Sequence, residues 1–373
     1  MNRQQIGRLR RAARSAGSAA DWMFGTVSLI VALAVLATIP ILQFASLGYL
    51  LEASGRVARE GRIRAGFVGV RKAAVLGRIA VGMAALMVPL WIASTLEFSA
   101  RLIDPESRAA RSWRVALLVL VGLVLAQMMS AVLRGGAIRH FLWPRPVRTA
   151  RLILAPEAYA RARDGACDFL ISLRLPYYFW LGLRGFAGAV VWLMVPVSLL
   201  AVASRLPPPA GVLAGLTGGG LLALVLVQLP FLQARMAEQN RLRTMFEWRA
   251  VRQQFARAPL AFSLALAMTL VLAVPLYLLK IEIVPREAAW LPSLLFVVSI
   301  FPARLATGWA LARSSRRERA RHWLWRVGGR LAMLPVVAAY VVIVYFTQYL
   351  SWYGVWSLYE QHAFLVPVPF LGL

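Results

Sequence analysis

WMFGTVSLIVALAVLATIPILQFASLGYLL, residues 22–51, runs thirty positions without a charged side chain. About 20 apolar residues are enough for a helix to cross the hydrocarbon of a bilayer. Similar blocks follow at Ile79–Ala100, Val115–Leu133, Gly185–Ser204, Gly211–Ala234, Leu260–Leu279, Ala288–Ala312 and Leu331–Tyr359. Strands are excluded as the spanning element. An open sheet leaves backbone groups unpaired in lipid, and no ten-residue alternation marks a barrel.

Composition agrees. The chain is 60% hydrophobic and only 15% charged, whereas a soluble domain has about 45–50% and about 25%. The net charge is +27, from 42 basic and 15 acidic residues, and 40 of the basic ones are Arg. Such an excess can mark nucleic-acid binding. Here the arginines cluster between apolar blocks, as cytoplasmic loops do, and that placement argues against nucleic acid.

The segments between blocks alternate in charge. Residues 52–78, 134–184, 235–257 and 304–330 carry seven, nine, six and eight basic residues. Residues 205–210 carry Arg205 alone, and 280–287 balance Lys280 and Arg286 against Glu282 and Glu287. The rich segments belong on the cytoplasmic side, so the carboxyl terminus is expected outside. The basic stretch 1–21 is expected in the cytoplasm; Arg3, Arg8, Arg10, Arg11 and Arg14 read as an uncleaved signal anchor. The first block is basic at both ends and is broken by Pro40, which removes a helical hydrogen bond. A re-entrant helical pair over Trp22–Leu51 satisfies both ends; the alternative is one tilted span. The aromatic cluster from Tyr345 to Tyr359 suits the outer headgroup level, with an apolar tail over 360–373 tucked against that face.

Chemistry-bearing patterns are sparse. Cys167 has no internal disulfide partner, and His140, His322 and His362 lack metal-ligand spacing. Asp164 and Asp168 flank Cys167, but Arg161 and Arg163 beside them indicate a solvated ion-pair face. Gly66-Phe67-Val68-Gly69 lacks the spacing of a dinucleotide fingerprint. Ionisable side chains within lipid mark function by default. Glu97 is expected to reach water at its helix end, and Arg304 to snorkel toward the cytoplasmic headgroups. Gln127, Gln228 and Thr269 are the main polar positions within spans.

Two internal patterns bear on packing. Pro40-Ile41-Leu42-Gln43 echoes Pro230-Phe231-Leu232-Gln233, and Val88-Pro89-Leu90-Trp91 echoes Val274-Pro275-Leu276-Tyr277; repeats of this kind are common in transporters. Gly211, Gly215 and Gly219, like Gly122, Ala126 and Ser130, form small-residue stripes suited to close helix contact. Gly218-Gly219-Gly220 could also unwind a helix. In 235–257, Leu242, Met245, Trp248, Val251 and Phe255 fall at helical spacing among Arg241, Arg243, Arg249 and Arg252. That is the pattern of a helix lying in the interface, and 157–184 is similar.

Leu47-Gly48-Tyr49-Leu50-Leu51 running to Arg56 and Arg59, Met245–Val251, and the tail His362–Phe370 together resemble an uncharacterised family of planctomycete-type bacterial polytopic membrane proteins. The resemblance implies a bacterial inner-membrane location and carries no activity.

The expected architecture is all-α: a polytopic transmembrane helical bundle of seven full spans plus an N-terminal re-entrant helical pair, or eight spans, as one domain over 22–359. The expected role is a non-enzymatic envelope scaffold or partner-binding membrane protein, with a permease for a small solute or lipid as the alternative. No catalytic, cofactor-binding or metal-ligating residue is singled out, and no cofactor is expected. The partners expected are the lipid bilayer and its anionic headgroups, met by the Arg-rich loops; protein partners are unknown. A reporter that is active only in the cytoplasm, fused after residue 373, should stay inactive; activity there would overturn the outside carboxyl terminus.

Overall fold

The computed structural model describes residues 3–143, 145, 147, 157–278, 290–351, 354–361 and 363–365. The described residues contain helices and no strand. Eight helices among them are long and apolar enough to cross a membrane, beginning with Gly17–Thr38. Each later block of the sequence overlaps one of the other seven. The protein is an all-α, multi-pass membrane bundle.

The first block divides at Pro40, as its sequence requires. Helix α1 (Arg3–Thr38) ends there, Ile41 takes a positive φ of 73°, and α2 (Gln43–Glu60) begins. The second helix continues well past Leu51. It is almost wholly buried and is not apolar enough to be one of the eight.

The described helices group into two compact units. The first contains the amino-terminal part of α1 with α3 (Val70–Ile103), α4 (Arg108–Leu133), α5 (Ile138–Leu142) and α6 (Ala158–Ser172). Helices α3 and α4 form a hairpin whose turn is fixed by capping. Ser107 Oγ accepts from Ala110 N at 3.0 Å, and Asp104 Oδ1 accepts from Glu106 N at 3.0 Å. Below the turn, Glu97 is buried and ion-paired to Arg101 and, at 3.7 Å, to Arg114. It does not reach water as its position near a helix end suggested, because two guanidiniums fold over it. Gln127 Nε2 donates to His140 O and Phe141 O at 2.8 and 2.9 Å, tying α4 to α5. Nothing lies within 4 Å of a side chain built at Gly122, and Ala126 is exposed, so that small-residue stripe is not a packing seam within the described residues.

The second unit surrounds α2 with α7 (Leu175–Ala203), α8 (Ala210–Gln239) and α11 (Trp290–Ser315). Helices α9 (Trp248–Arg257), α10 (Pro259–Leu278) and α12 (Trp323–Leu350) complete it. Between helices in lipid there is no hydrophobic drive, so close approach and dispersion decide packing. Each neighbour reaches α2 through a missing side chain. A Cβ at Gly48 would stand 1.7 Å from Tyr178 O, and one at Gly182 only 1.8 Å from Phe44 O. Gly55 lies against the Ala237 backbone of α8 and Gly308 against Ser54 O.

The corners of this unit at its basic end are built alike. After α2, Gly61 is left-handed (φ 71°, ψ 15°), Arg62 is extended (φ −124°, ψ 126°), and a 3-10 turn runs Ile63–Gly66. After α8, Asn240 is left-handed (φ 54°, ψ 36°), Arg241 is extended (φ −128°, ψ 125°), and a 3-10 turn runs Leu242–Phe246. The sequences read Gly-Arg-Ile-Arg-Ala-Gly-Phe and Asn-Arg-Leu-Arg-Thr-Met-Phe. The echo around the two prolines is not matched in backbone: Pro40 separates helices, whereas Pro230 lies inside α8. The second 3-10 turn also corrects the expected continuous amphipathic helix. Met245 is buried in the turn, α9 begins only at Trp248, and Val251 and Phe255 face inward.

Two other expectations change. Helix α8 is unbroken through Gly218-Gly219-Gly220. The last block starts earlier, at Trp323, and its helix stops at Leu350; a 3-10 turn follows at Gly354–Tyr359 and the chain turns inward. Gln361, Ala363 and Phe364 are fully buried, so the segment enters the unit instead of lying on its outer face. The tail beyond Leu365 and the balanced loop of Lys280, Glu282, Arg286 and Glu287 lie outside the described residues.

Gly48→Ala should lower thermal stability of the detergent-solubilised protein by at least about 1–3 kcal/mol, the usual cost of overpacking. Gly122→Ala should be neutral or gain up to about 1 kcal/mol of helix propensity. Melting followed by size-exclusion fluorescence checks both, and equal effects would contradict the packing described.

Candidate functional site

In the second unit, the one buried charge among the described residues without a carboxylate partner is Arg304. The sequence places it on α11, eleven residues before Ser315, or about 16 Å along the axis. That is near the middle of the helix. It does not snorkel: only 1% of its surface is exposed. Its distance from the helix end and the neighbours packed over it prevent the side chain from reaching headgroups.

Two neutral acceptors hold the guanidinium. Nη1 donates to Gln233 Oε1 at 2.7 Å, and Nη2 to Ala363 O at 3.3 Å. Gln233 donates in turn from Nε2 to Phe364 O at 3.0 Å and to Gly185 O at 3.2 Å. Nearby, the Tyr277 and Tyr340 hydroxyls meet at 2.8 Å, and Tyr277 donates to Gln361 Oε1 at 3.5 Å. The network has one evident consequence. Non-helical backbone at membrane depth is tolerated only where protein satisfies its polar groups. Here Arg304 and Gln233 donate to the carbonyls of Ala363 and Phe364, and so pin the inturned segment to α8 and α11.

A second cluster lies at the basic end. Glu52, buried on α2, accepts from Arg56 Nε at 2.9 Å and Arg59 Nη2 at 2.8 Å through Oε1, and from Tyr177 OH at 2.8 Å through Oε2. Partial burial opposes the Arg56 charge, yet the bond and field of Glu52 hold its guanidinium above its ordinary pKa. Arg59 also donates to Ala237 O and Glu238 O at 3.0 and 2.9 Å. Arg316 donates to Gly61 O at 3.0 Å, and Arg184 to Asn240 Oδ1 at 2.9 Å. The last carbonyls of a helix lack intrahelical donors and carry partial negative charge. Arginine is therefore well suited to closing these ends. The contacts bring the basic segments after α2, α8 and α11 to one end of the unit.

Other arginines are left over. In the two matching turns, Arg62, Arg64, Arg241 and Arg243 are exposed, and so are Ile63 and Leu242 between them. Each turn thus presents an aliphatic side chain flanked by two cations.

The other sequence candidates lie apart from these clusters. Arg163 pairs with Asp164 at 2.9 Å, and Cys167 is exposed, which agrees with a solvated ion-pair face. Among the described residues no group of His, Cys, Asp or Glu is placed to hold a metal. Thr269 bonds back to Ala265 O at 2.8 Å within its helix. No family model, no curated protein and no solved structure matches this chain.

The Arg304 network was only half legible. Sequence flagged a charge inside an apolar block, but Gln233 and Ala363 are distant in the chain and nothing paired them. Gln233→Leu should leave Nη1 of a buried cation and the Phe364 carbonyl without the partner they have here, and lower stability by about 1–3 kcal/mol or more. Limited proteolysis should then cleave first in the carboxyl-terminal segment; unaltered cleavage there would contradict the pinning role.

Proposed function

We propose that this protein is a non-enzymatic envelope scaffold or partner-binding protein of a bacterial inner membrane, with its basic end on the cytoplasmic leaflet. The observation that carries the reading is what the polar groups at mid-helix depth bond to: Arg304 Nη1 and Nη2 and the Gln233 amide meet protein groups, while Arg304 Nε finds no partner among the described residues. Gln233 and Arg304 are bonded to backbone carbonyls of the inturned segment and of α7. A permease needs such groups to meet water or solute at some stage of its cycle. Here they serve the protein's own backbone.

The exposed turns support the orientation and the lipid partner. A cation near an anionic leaflet contributes about 1 kcal/mol, and an aliphatic side chain between two of them inserts among headgroups. The resemblance of the sequence to planctomycete-type membrane proteins agrees with the inner-membrane placement. A buried charge left without partners is costly, and two of the three Arg304 nitrogens are bonded within the protein.

Thiol labelling separates the scaffold from the permease. In a Cys167→Ser background reconstituted in vesicles, Ala234→Cys and Ala363→Cys should resist a membrane-impermeant maleimide, and Ile63→Cys should react. Labelling at both buried positions from the aqueous phase would replace the scaffold reading with the permease.

A further inference from the structure

A lateral groove of about 620 Å³ opens on the second unit between α8, α9, α10 and α12. This is well within the usual pocket range of about 300–1,000 Å³. Its length is apolar: Leu221, Leu224 and Val225 of α8 form one wall and Phe262 of α10 another. Leu224 is 64% exposed, so the groove lies open along the side that lipid covers. Its mouth has different chemistry. Arg252 of α9 and Arg330, two turns into α12, line it together with Trp248. Both arginines are exposed, and neither has a carboxylate partner among the described residues.

The order of these groups follows the membrane normal. Helix α8 runs toward the basic end, so Leu221 lies deepest and Gln228 lies seven residues, or about 10 Å, nearer the cytoplasm. Tryptophan prefers the headgroup level. The Gln228 Oε1 is buried and finds no hydrogen-bond partner among the described residues. From the interior outward the groove therefore presents an aliphatic slot with Trp192 beside it, a free acceptor, and then the Trp248 ring with two guanidiniums. Arg330 also lies over the Phe255 ring at 5.8 Å, which holds its side chain at the groove instead of out in water.

We propose that this groove binds one anionic phospholipid of the cytoplasmic leaflet. One acyl chain lies along Leu221, Leu224 and Val225. The phosphate sits between Arg252 and Arg330, where guanidiniums match its geometry. Free phosphate lacks the tail that the slot accepts, and a zwitterionic lipid carries its own cation against the two arginines. The assignment rests on the basic end facing the cytoplasmic leaflet, and it adds a fixed site to the diffuse attraction of the exposed turns.

The test is lipid retention. Protein is reconstituted in nanodiscs of phosphatidylcholine with phosphatidylglycerol, extracted in mild detergent, and weighed by native mass spectrometry. One phosphatidylglycerol should remain per chain, while added inorganic phosphate should neither bind nor displace it. Arg252→Gln/Arg330→Gln should reduce retention at least tenfold. Leu224→Trp, at an exposed position that tolerates bulk, should do the same by filling the slot with all charges intact. Arg62→Gln/Arg64→Gln/Arg241→Gln/Arg243→Gln should keep the bound lipid and lose only the preference for anionic discs. Retention unchanged in both groove variants overturns the site while leaving the surface reading intact. Loss in the turn variant equal to that in the groove variants overturns it too, by showing that bulk charge alone holds the lipid. If the turn variant keeps its preference for anionic discs, the surface reading fails and the groove stands on its own arms.

Discussion

Backbone meets backbone at Gly48 and Gly182, and the second unit is arranged around that contact. In water, a helix such as α2 would be driven inside by its apolar face. In lipid that drive is absent, and the gain must come from fitting surfaces more closely than lipid tails can. Glycine at 48, 55, 182 and 308 allows α7, α8 and α11 to reach α2 at backbone distance. Larger residues there would hold the helices apart and admit lipid between them. Helix α2 is thus interior although its own sequence is not apolar enough to rank among the eight spanning helices.

Polar chemistry is then confined to places where packing has already excluded lipid. Glu52 lies toward the basic end of α2 and gathers Arg56, Arg59 and Tyr177. Arg304 lies deeper and gathers Gln233 and the inturned backbone. The first resembles a buried ion pair, whose net value is small but whose disruption is costly. The second has no carboxylate among the described residues, and its acceptors are dipoles. Both act across elements far apart in sequence, and both fix one arrangement of helices against alternatives.

The arginine excess has more than one physical cause. The sequence supports a topological cause, since basic loops stay in the cytoplasm. The structure adds a local one, because Arg59, Arg184 and Arg316 close the carboxyl ends of helices other than their own. The guanidiniums of Arg62, Arg64, Arg241 and Arg243, and those of Arg252 and Arg330, remain exposed. At the repeated corner the left-handed Gly61 and Asn240 turn the chain, and the arginines that follow them are exposed.

The sequence by itself determined the class of protein, seven of the eight helices able to cross, and the break at Pro40, and it left open whether the first block crosses. These follow from length, hydropathy and the missing proline donor, which are local quantities. It also carried the repeated corner, in Gly-Arg-Ile-Arg-Ala-Gly-Phe and Asn-Arg-Leu-Arg-Thr-Met-Phe, although the more conspicuous prolines drew the comparison to the wrong register. Only the tertiary structure decided that α2 is interior, that Arg304 is pinned and not snorkelled, that Glu97 is covered, and that the carboxyl-terminal segment turns inward. Each of these depends on which distant residue supplies a vacancy or an acceptor. Hydropathy sums over neighbours in the chain, whereas burial in a bundle is settled by neighbours in space.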